Sequence, residues 1–136
     1  MKVVIIGGVA AGMSAASKLR RMDQDVEIVV YEKGGTLSYG ACGLPYFISD
    51  ENPDATLMLA KGKEDFEKMN IQCHLFCEVV KLDVKDKQLL VKNHQTGQIF
   101  MDKYDRLVIA TGASPIIPPL PPRVMANRFC HLASAS

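Results

Sequence analysis

Cys42 is the residue of this sequence whose surroundings best fit redox chemistry. It stands in the segment 38–47, at the predicted start of a short helix over 42–48 that places Pro45 in its first turn. A cysteine at a helix N-terminus gains thiolate character, which redox chemistry beside a cofactor requires, whereas a lone cysteine is otherwise often a buried apolar residue. Residues 43–47 contain no second cysteine for an internal disulfide. Cys42 is therefore expected to cycle through a mixed disulfide with a small thiol or through a sulfenic acid.

A glycine turn near the N-terminus has the spacing of a dinucleotide-binding site. Gly7 and Gly12 fill the outer positions of a Gly-x-Gly-x-x-Gly pattern between a predicted strand and a predicted helix, and Val9 stands at the middle position. The first glycine permits a tight turn, the last permits close helix packing, and the helix N-terminus binds the pyrophosphate. Because Val9 departs from the pattern, a purely structural glycine turn is the alternative.

An acidic residue follows the second predicted strand. Glu32 comes at the end of strand 26–31, at about the distance from the turn where an acid binds the ribose hydroxyls of an adenosine. The alternative is a solvated charge at a strand end. Strand, turn, helix, strand and acid together favour a dinucleotide, and the acid disfavours a 2′-phosphate by charge repulsion. NAD and FAD are therefore the candidate ligands at this site.

A second group of cysteines has a weaker claim to chemistry. Cys73 and Cys77 flank His74, which suggests zinc, but zinc sites usually have a closer cysteine pair and a second pair of ligands downstream. His94 and His131 do not supply that spacing. We therefore expect Cys73 and Cys77 to be small apolar residues of a strand region, and we expect no metal.

The elements that must position these groups predict an α/β fold. Strands 2–6 and 26–31 flank a helix over 13–22, and such a unit implies a parallel sheet. The other predicted elements are a loop at 33–43, a helix at 63–70, a strand at 71–76, an antiparallel β-meander with strands at 79–84 and 88–93 and a turn at 95–98, and a strand at 107–110. The sequence thus predicts a Rossmann-like domain with a central parallel sheet and an inserted antiparallel β-meander.

Composition excludes several classes of partner. The 136 residues are 48% hydrophobic and 23% charged, as in a folded globular domain. Sixteen basic against fifteen acidic residues give a net charge of +1, so we expect neither nucleic acid nor membrane as a partner. No apolar run is long enough to span a bilayer, and no signal peptide is evident at the N-terminus. Cytoplasmic localisation is the expectation.

These motifs together resemble the N-terminal part of the FAD-dependent pyridine nucleotide-disulfide oxidoreductases, in the branch with a single redox cysteine. That branch includes coenzyme A-disulfide reductases, NADH oxidases and NADH peroxidases. The segments that carry the resemblance are 7–12, 31–33, 38–46 and 104–115.

The resemblance implies a role for each of the matching residues. Cys42 is the implied catalytic residue. The residues implied to bind FAD are Gly7, Gly8, Val9, Ala10, Ala11, Gly12, Glu32, Lys33, Val79, Ala110, Thr111 and Gly112. Among these, Gly7, Gly8 and Gly12 are implied to line the pyrophosphate, Glu32 to hold the ribose, and the backbone of Val79 to meet the adenine. The residues implied to contact coenzyme A are Lys18, Arg21, Ser38 and Lys68, although a solvated basic face is the alternative for Lys18 and Arg21.

Two residues bear on the choice of substrate. Oxidase and peroxidase members typically have a histidine in the glycine turn, whereas this sequence has Ala10, which cannot act as an acid toward peroxide or oxygen. Ala10 therefore favours reduction of coenzyme A disulfide, or of a polysulfide or persulfide. Related reductases often have asparagine before the cysteine, and Ala41 departs from that pattern. An NADH oxidase or peroxidase that uses a Cys42 sulfenic acid is the alternative.

The resemblance also implies a larger protein. NAD(P)H is expected to reduce FAD, the flavin to pass electrons to Cys42, and the thiolate to be regenerated from a mixed disulfide. We expect residues 1–115 to be the N-terminal part of the FAD domain and 116–136 to be a proline-rich exit segment with a truncated or non-native tail. A full-length homodimer is expected to carry the activity, and this chain alone is expected to be inactive. A non-catalytic FAD-binding fragment and a flavin-free NAD-binding domain are the alternatives, and the choice between NADH and NADPH stays open.

Overall fold

The structure is a computed structural model that describes residues 1–49 and 59–113. Its elements are β1 (Lys2–Ile6), α1 (Ala10–Met22), β2 (Glu27–Tyr31), a 3-10 helix (Ala41–Gly43), α2 (Leu44–Ile48), α3 (Lys63–Glu67), β3 (Ile71–His74), β4 (Cys77–Asp83), β5 (Gln88–Asn93), β6 (Ile99–Lys103) and β7 (Arg106–Ile109). The proposed domain boundary at 115 and the proline-rich segment lie outside the described residues. None of the described helices is long and apolar enough to cross a membrane.

Four parallel strands form the central sheet in the order β3-β2-β1-β7. In the middle of the sheet, Val4 of β1 pairs with Val29 of β2 on one side and with Leu107 of β7 on the other. Val4 and Val29 are both buried, as expected for a parallel sheet that is covered on both faces. The predicted α/β fold with a central parallel sheet is confirmed.

The two faces of this sheet carry separate hydrophobic cores. Ile28 and Val30 belong to a core that also contains Met13 of α1 and Phe66 of α3. The alternate strand residues face the other way, so that Val29 lies in a second core with side chains of the meander. The sheet is therefore the middle of three layers, with helices on one side and the meander on the other.

The meander is an antiparallel sheet in the order β4-β5-β6, as predicted. Its inner face is apolar, with Leu89 and Val91 of β5 fully buried. The turn before β6 forms where predicted, because the Asn93 side chain accepts hydrogen bonds from the backbone N–H groups of Gln95 and Thr96 at 2.9 and 3.0 Å.

Several predicted boundaries differ from the structure by one to three residues, and three of them have a clear physical cause. Helix α1 begins at Ala10 instead of residue 13, because the last part of the glycine turn is already helical. Helix α3 ends at Glu67, and Asn70 then adopts a φ of 56° that a right-handed helix cannot contain. Strand β3 ends at His74 for a similar reason, since Phe76 has a φ of 56° in the turn to β4.

A polar contact joins the meander to the parallel sheet. The Tyr31 hydroxyl donates to Asp102 Oδ2 at 2.7 Å, and the Lys2 ammonium donates to Asp102 Oδ1 at 2.6 Å. Burial, together with the bond to Asp102, raises the pKa of Tyr31 well above its usual value. Burial alone would raise the pKa of Asp102, but the hydrogen bonds from Lys2 and Tyr31 outweigh it and lower that pKa. The three side chains therefore lock β1, β2 and β6 together.

A buried arginine that the sequence did not single out holds the segments that lead into β2 and β3. Arg20 is 6% exposed, and its guanidinium donates to the carbonyl oxygens of Gln24, Val26 and Asn70 at 2.6, 2.8 and 2.7 Å. The first two carbonyls belong to the connection from α1 to β2, and the third directly precedes β3. Arg20 therefore joins the end of α1 to the end of the α3 segment.

Candidate functional site

The predicted cofactor residues meet at the carboxyl edge of the parallel sheet. Gly7 follows β1, Glu32 follows β2 and Ala110 follows β7, and these three strands are adjacent and parallel. Ligands of open α/β sheets bind outside this edge. Residues about a hundred positions apart in the sequence are therefore brought to one edge of the sheet.

Gly7 occupies a position that no other residue could fill. Its φ is 103°, and a Cβ atom there would overlap the carbonyl group of Ala110. The Gly7 N–H donates to the Tyr31 carbonyl at 2.9 Å, and the Ala110 N–H donates to the Ile6 carbonyl at 2.8 Å. The start of the glycine turn is thus fixed against the ends of both neighbouring strands.

Gly12 permits the close packing that was predicted for the last glycine. It lies in the first turn of α1, where a Cβ atom would overlap the Gly7 carbonyl and lie 3.2 Å from Cγ2 of Ile5. Val9, at the middle position, is 37% exposed. The two outer glycines are therefore required by packing, and the departure at Val9 does not disturb the turn.

Among the residues that the structure describes, no side chain caps the N-terminus of α1. Val9 is the N-cap residue and makes no side-chain hydrogen bond, and the first turn contains no acidic residue. The N–H groups of Ala10, Ala11 and Gly12 belong to this first turn, where no carbonyl of the helix can accept from them. The end of the helix can therefore bind an anion such as a phosphate.

Glu32 is buried against the glycine turn instead of being the solvated charge that was the alternative. It is 7% exposed, its Oε2 accepts from the Gly8 N–H at 2.6 Å, and its Oε1 accepts from the Gly34 N–H at 2.7 Å. The Gly8 N–H is thus engaged within the protein. The carboxylate lies where strand β2 meets the turn.

The loop that leads to Cys42 is fastened to the same turn. The Ser38 N–H donates to the Gly8 carbonyl at 2.9 Å, and the Ser38 carbonyl accepts from the Ala60 N–H at 3.2 Å. Leu37 is buried, and its Cδ2 would lie 2.5 Å from a Cβ atom on Gly8. Ser38 has a φ of 52°, an unfavourable conformation that these contacts hold in place.

Cys42 is exposed and has a free thiol, so it is not the buried apolar residue that was the alternative. It lies in the 3-10 helix, where the Gly43 N–H donates to the Gly40 carbonyl at 2.9 Å, and α2 follows directly with Pro45 at its second position. A short helix follows Cys42 as predicted, but α2 begins at Leu44 instead of residue 42, and Cys42 itself lies in the preceding 3-10 helix. Its thiol is therefore accessible at the end of a fixed loop.

Cys73 and Cys77 are buried strand residues, as predicted. Burial raises the pKa of the Cys73 thiol to about 11 and also raises the pKa of Cys77. The two residues belong to the hydrophobic cores on opposite faces of the sheet, so they cannot share a metal ion. In residues 1–49 and 59–113, no cluster of three or more His, Cys, Asp or Glu side chains could hold a metal.

The other predicted cofactor residues lie around this edge. Lys33 is exposed directly after Glu32. Val79 is half-buried in β4, two residues after Cys77, whose N–H donates to the Glu32 carbonyl at 2.9 Å. Thr111 and Gly112 follow Ala110 away from the sheet, and both are exposed.

The four residues implied to contact coenzyme A do not form one compact cluster. Ser38 lies at the glycine turn, whereas Lys18 and Arg21 are exposed along α1 and Lys68 is exposed at the end of α3, 3.6 Å from Asp65. At 1.5 Å per residue, Arg21 lies about 16 Å along the helix axis from the turn. The hydrogen bond from Arg20 to the Asn70 carbonyl joins the segment that contains Lys68 to the end of α1. A ligand that reached all four residues would have to be long.

Comparison with known proteins supports the resemblance. Residues 1–135 match the family of pyridine nucleotide-disulphide oxidoreductases. The chain is 38% identical over 114 residues to coenzyme A disulfide reductase of Staphylococcus epidermidis strain RP62A, which covers 83% of this chain and 26% of that protein. Coenzyme A disulfide reductase of Staphylococcus aureus strain COL is 33% identical over 114 residues, again with 83% and 26% coverage. The chain thus spans about a quarter of the length of these relatives.

Solved structures of related proteins share this fold. The reduced CoADR-RHD of Bacillus anthracis has a TM-score of 0.85 and 36% identity, over 88% of this chain and 22% of that one. The NAD-dependent persulfide reductase from A. fulgidus has a TM-score of 0.81 and 37% identity, over 88% and 23%. The water-forming NADH oxidase from Lactobacillus brevis, bound to NADH, has a TM-score of 0.85 and 26% identity, over 89% and 27%. This chain therefore belongs to the pyridine nucleotide-disulphide oxidoreductase family.

Proposed function

We propose that this chain is the FAD-binding N-terminal part of an NAD(P)H-dependent disulfide oxidoreductase that reduces coenzyme A disulfide or a related persulfide or polysulfide. The observation that carries the proposal is the exposed thiol of Cys42 on a loop fastened to the phosphate turn. The family uses FAD and NAD(P)H. As the chain spans about a quarter of its relatives, turnover is assigned to a longer protein.

The described residues fit FAD. The first turn of α1 would supply N–H groups to the pyrophosphate, Glu32 and Lys33 would hold the ribose, and the backbone of Val79 would meet the adenine. A side chain at position 7 would overlap the Ala110 carbonyl, so Gly7 lets the turn pass close to the end of β7. When bound, FAD would take a hydride from NAD(P)H and supply two electrons to the thiol chemistry.

Cys42 is proposed to exchange directly with the substrate. Its thiolate attacks one sulfur of coenzyme A disulfide, which forms a Cys42–coenzyme A disulfide and releases one coenzyme A thiolate. Two electrons then cleave this mixed disulfide into the Cys42 thiolate and a second coenzyme A thiolate. The other described cysteines are buried, which supports a mixed disulfide over an internal one.

The basic residues of α1 and α3 support coenzyme A as the substrate. Coenzyme A carries its thiol at one end and its nucleotide phosphates at the other, so a long ligand could react at Cys42 while Lys18, Arg21 and Lys68 contact its phosphates. Ser38 belongs to the loop that carries Cys42 and would contact the thiol end of coenzyme A. The same separation of residues would not be needed for a small persulfide.

The oxidase or peroxidase reaction is the second candidate, because the L. brevis oxidase has a TM-score of 0.85 to this chain. Ala10 weighs against it, since its methyl group can neither donate a proton to peroxide nor hold one. The identity to the disulfide and persulfide reductases is also higher, at 36% and 37% against 26%. We retain the reductase as the proposed function.

A reducing, cytoplasmic compartment is part of the same proposal, because the described cysteines are free thiols. Homodimer formation by the longer protein stays a prediction.

Thiol exchange can be tested on this chain directly. The reduced chain is incubated with coenzyme A disulfide, and mass spectrometry after proteolysis maps the adduct. We expect one coenzyme A on Cys42, no adduct at that peptide in Cys42→Ser, and an unchanged adduct in the control Cys73→Ala, because Cys73 is buried. An unmodified Cys42 would contradict its proposed role, and a chain that stays colourless after gel filtration with FAD would contradict the flavin assignment.

A further inference from the structure

Glu32 makes two hydrogen bonds that a ribose contact alone would not require. Each carboxylate oxygen accepts from a backbone N–H, Oε2 from Gly8 at 2.6 Å and Oε1 from Gly34 at 2.7 Å. Hydrogen bonds to an ionised carboxylate are roughly twice as strong as neutral ones. The residue is 7% exposed, so little water competes for these bonds.

The two N–H groups belong to the two segments that build the site. Gly8 directly precedes Val9, the N-cap residue of α1, and Gly34 begins the loop that carries Ser38. Ser38 in turn donates its N–H to the Gly8 carbonyl at 2.9 Å. The peptide groups on both sides of Gly8 are therefore fixed, one by Glu32 and the other by the cysteine loop.

We propose that Glu32 is a positioning residue for the phosphate turn, beyond any contact with the ribose; this inference rests on the proposed function. Its carboxylate holds Gly8, and through Gly8 the helix N-terminus, in the conformation that receives the pyrophosphate. Such preorganisation strengthens binding because the ligand does not have to order the turn. Loss of the carboxylate should then weaken contacts made by the phosphates, which Glu32 does not touch.

The Glu32→Gln variant separates the two roles. A ribose hydroxyl can donate to the amide oxygen or accept from the amide nitrogen, so glutamine can still serve the ribose. A backbone N–H can only donate, so the amide nitrogen cannot serve Gly8 or Gly34, and one of these N–H groups loses its partner. The substitution also removes a negative charge, which by itself should strengthen anion binding. A weakening of phosphate binding can therefore arise only through the turn.

Amide hydrogen exchange of this chain tests the hydrogen bonds. We expect the N–H groups of Gly8 and Gly34 to be protected, and exchange at one of them to rise at least about tenfold in Glu32→Gln. Glu27→Gln is the matched control, because Glu27 is an exposed residue of the same strand and should leave both rates unchanged. Unchanged exchange at the core amides of Val4 and Val29 verifies that the variant is folded.

Ligand titration tests the functional consequence. The affinities of FAD, ADP and adenosine are measured for wild type, Glu32→Gln and Glu27→Gln. A positioning role predicts that the ratio of ADP affinity to adenosine affinity falls about tenfold in Glu32→Gln and stays unchanged in Glu27→Gln. A tenfold change corresponds to about 1.4 kcal/mol of binding free energy. An unchanged ratio in a wild type that binds FAD would overturn the inference and leave the proposed function intact. A wild-type chain that does not bind FAD would overturn the proposed function and this inference with it.

Discussion

Replacing Arg20 with methionine should destabilise the domain far more than the same change at its neighbour Arg21. The Arg20 guanidinium is buried and donates to Gln24, Val26 and Asn70 at 2.6–2.8 Å and more weakly to Asp23 at 3.4 Å. Methionine has a similar length and fills the apolar space along the side chain, so the loss reports mainly on the hydrogen bonds.

The magnitude follows from these bonds and from what opposes them. Each good hydrogen bond from a charged donor contributes about 1.5–3 kcal/mol. Three such bonds are offset in part by the cost of burying the charge, which is high here because Arg20 Nε has no hydrogen-bond partner in the described part of the protein. We expect a net loss of about 3 kcal/mol, out of the roughly 5–15 kcal/mol typical of a domain. For a chain of this size that lowers the Tm by about 10 °C.

Urea denaturation of wild type, Arg20→Met and Arg21→Met, followed by circular dichroism, measures these losses. The exposed Arg21→Met control should stay within about 0.5 kcal/mol of wild type. The stability of Arg20→Lys should lie between those of wild type and Arg20→Met, because an ammonium keeps the charge but lacks the planar guanidinium that donates to several carbonyls at once. Equal stability of Arg20→Met and Arg21→Met would refute the reasoning that Arg20 holds the segments that lead into β2 and β3.

Three further predictions concern the turn, the sheet contact and the thiols. Gly12→Ala should destabilise the chain by about 2–4 kcal/mol in urea denaturation, because its Cβ overlaps the Gly7 carbonyl; a loss below about 0.5 kcal/mol would contradict that packing. Because the pKa of Asp102 in the folded protein is lowered, the ionised carboxylate stabilises the fold above pH 3.8, the ordinary pKa of an aspartate, and this stabilisation is lost as the pH falls through the lowered pKa. The difference in unfolding free energy between wild type and Asp102→Asn should therefore become smaller on acidification, and a larger difference at low pH would contradict the shift. A maleimide should label Cys42 in the native chain but Cys73 only after denaturation, and equal native rates would contradict their different exposure.

Much of the site could be predicted because its motifs are local in sequence. The glycine turn, the acid after β2 and the helix after Cys42 each depend on a few consecutive residues, and all three occur where predicted. The boundaries of α1, α3 and β3 were less accurate. The left-handed residue Phe76 ends β3 in a way that its residue type does not signal, whereas Asn70 is of a type that favours this conformation but does not by itself fix where a helix ends.

The hydrogen bonds of Arg20 could not be predicted from the sequence. Arg20 has the helical spacing of the buried residues Met13 and Ala16, but arginine is seldom buried, so its residue type argues for an exposed position like that of Arg21. Only the direction in which α1 faces its neighbours makes one of them a buried donor to four carbonyls and leaves the other exposed. The sequence likewise could not indicate that both oxygens of Glu32 are engaged by backbone N–H groups.

The amino-acid sequence by itself determined the family, the α/β order and the identity of the candidate redox residue, because each depends on residue type and short-range spacing. Tertiary structure decided which groups touch. The parallel pairing of β1, β2 and β7 brings Gly7, Glu32 and Ala110 to one edge, and the fold of the intervening loop fastens Ser38 to Gly8 and leaves Cys42 exposed. Such contacts join residues tens of positions apart, and their geometry follows from the packing of the whole sheet, which no local pattern encodes.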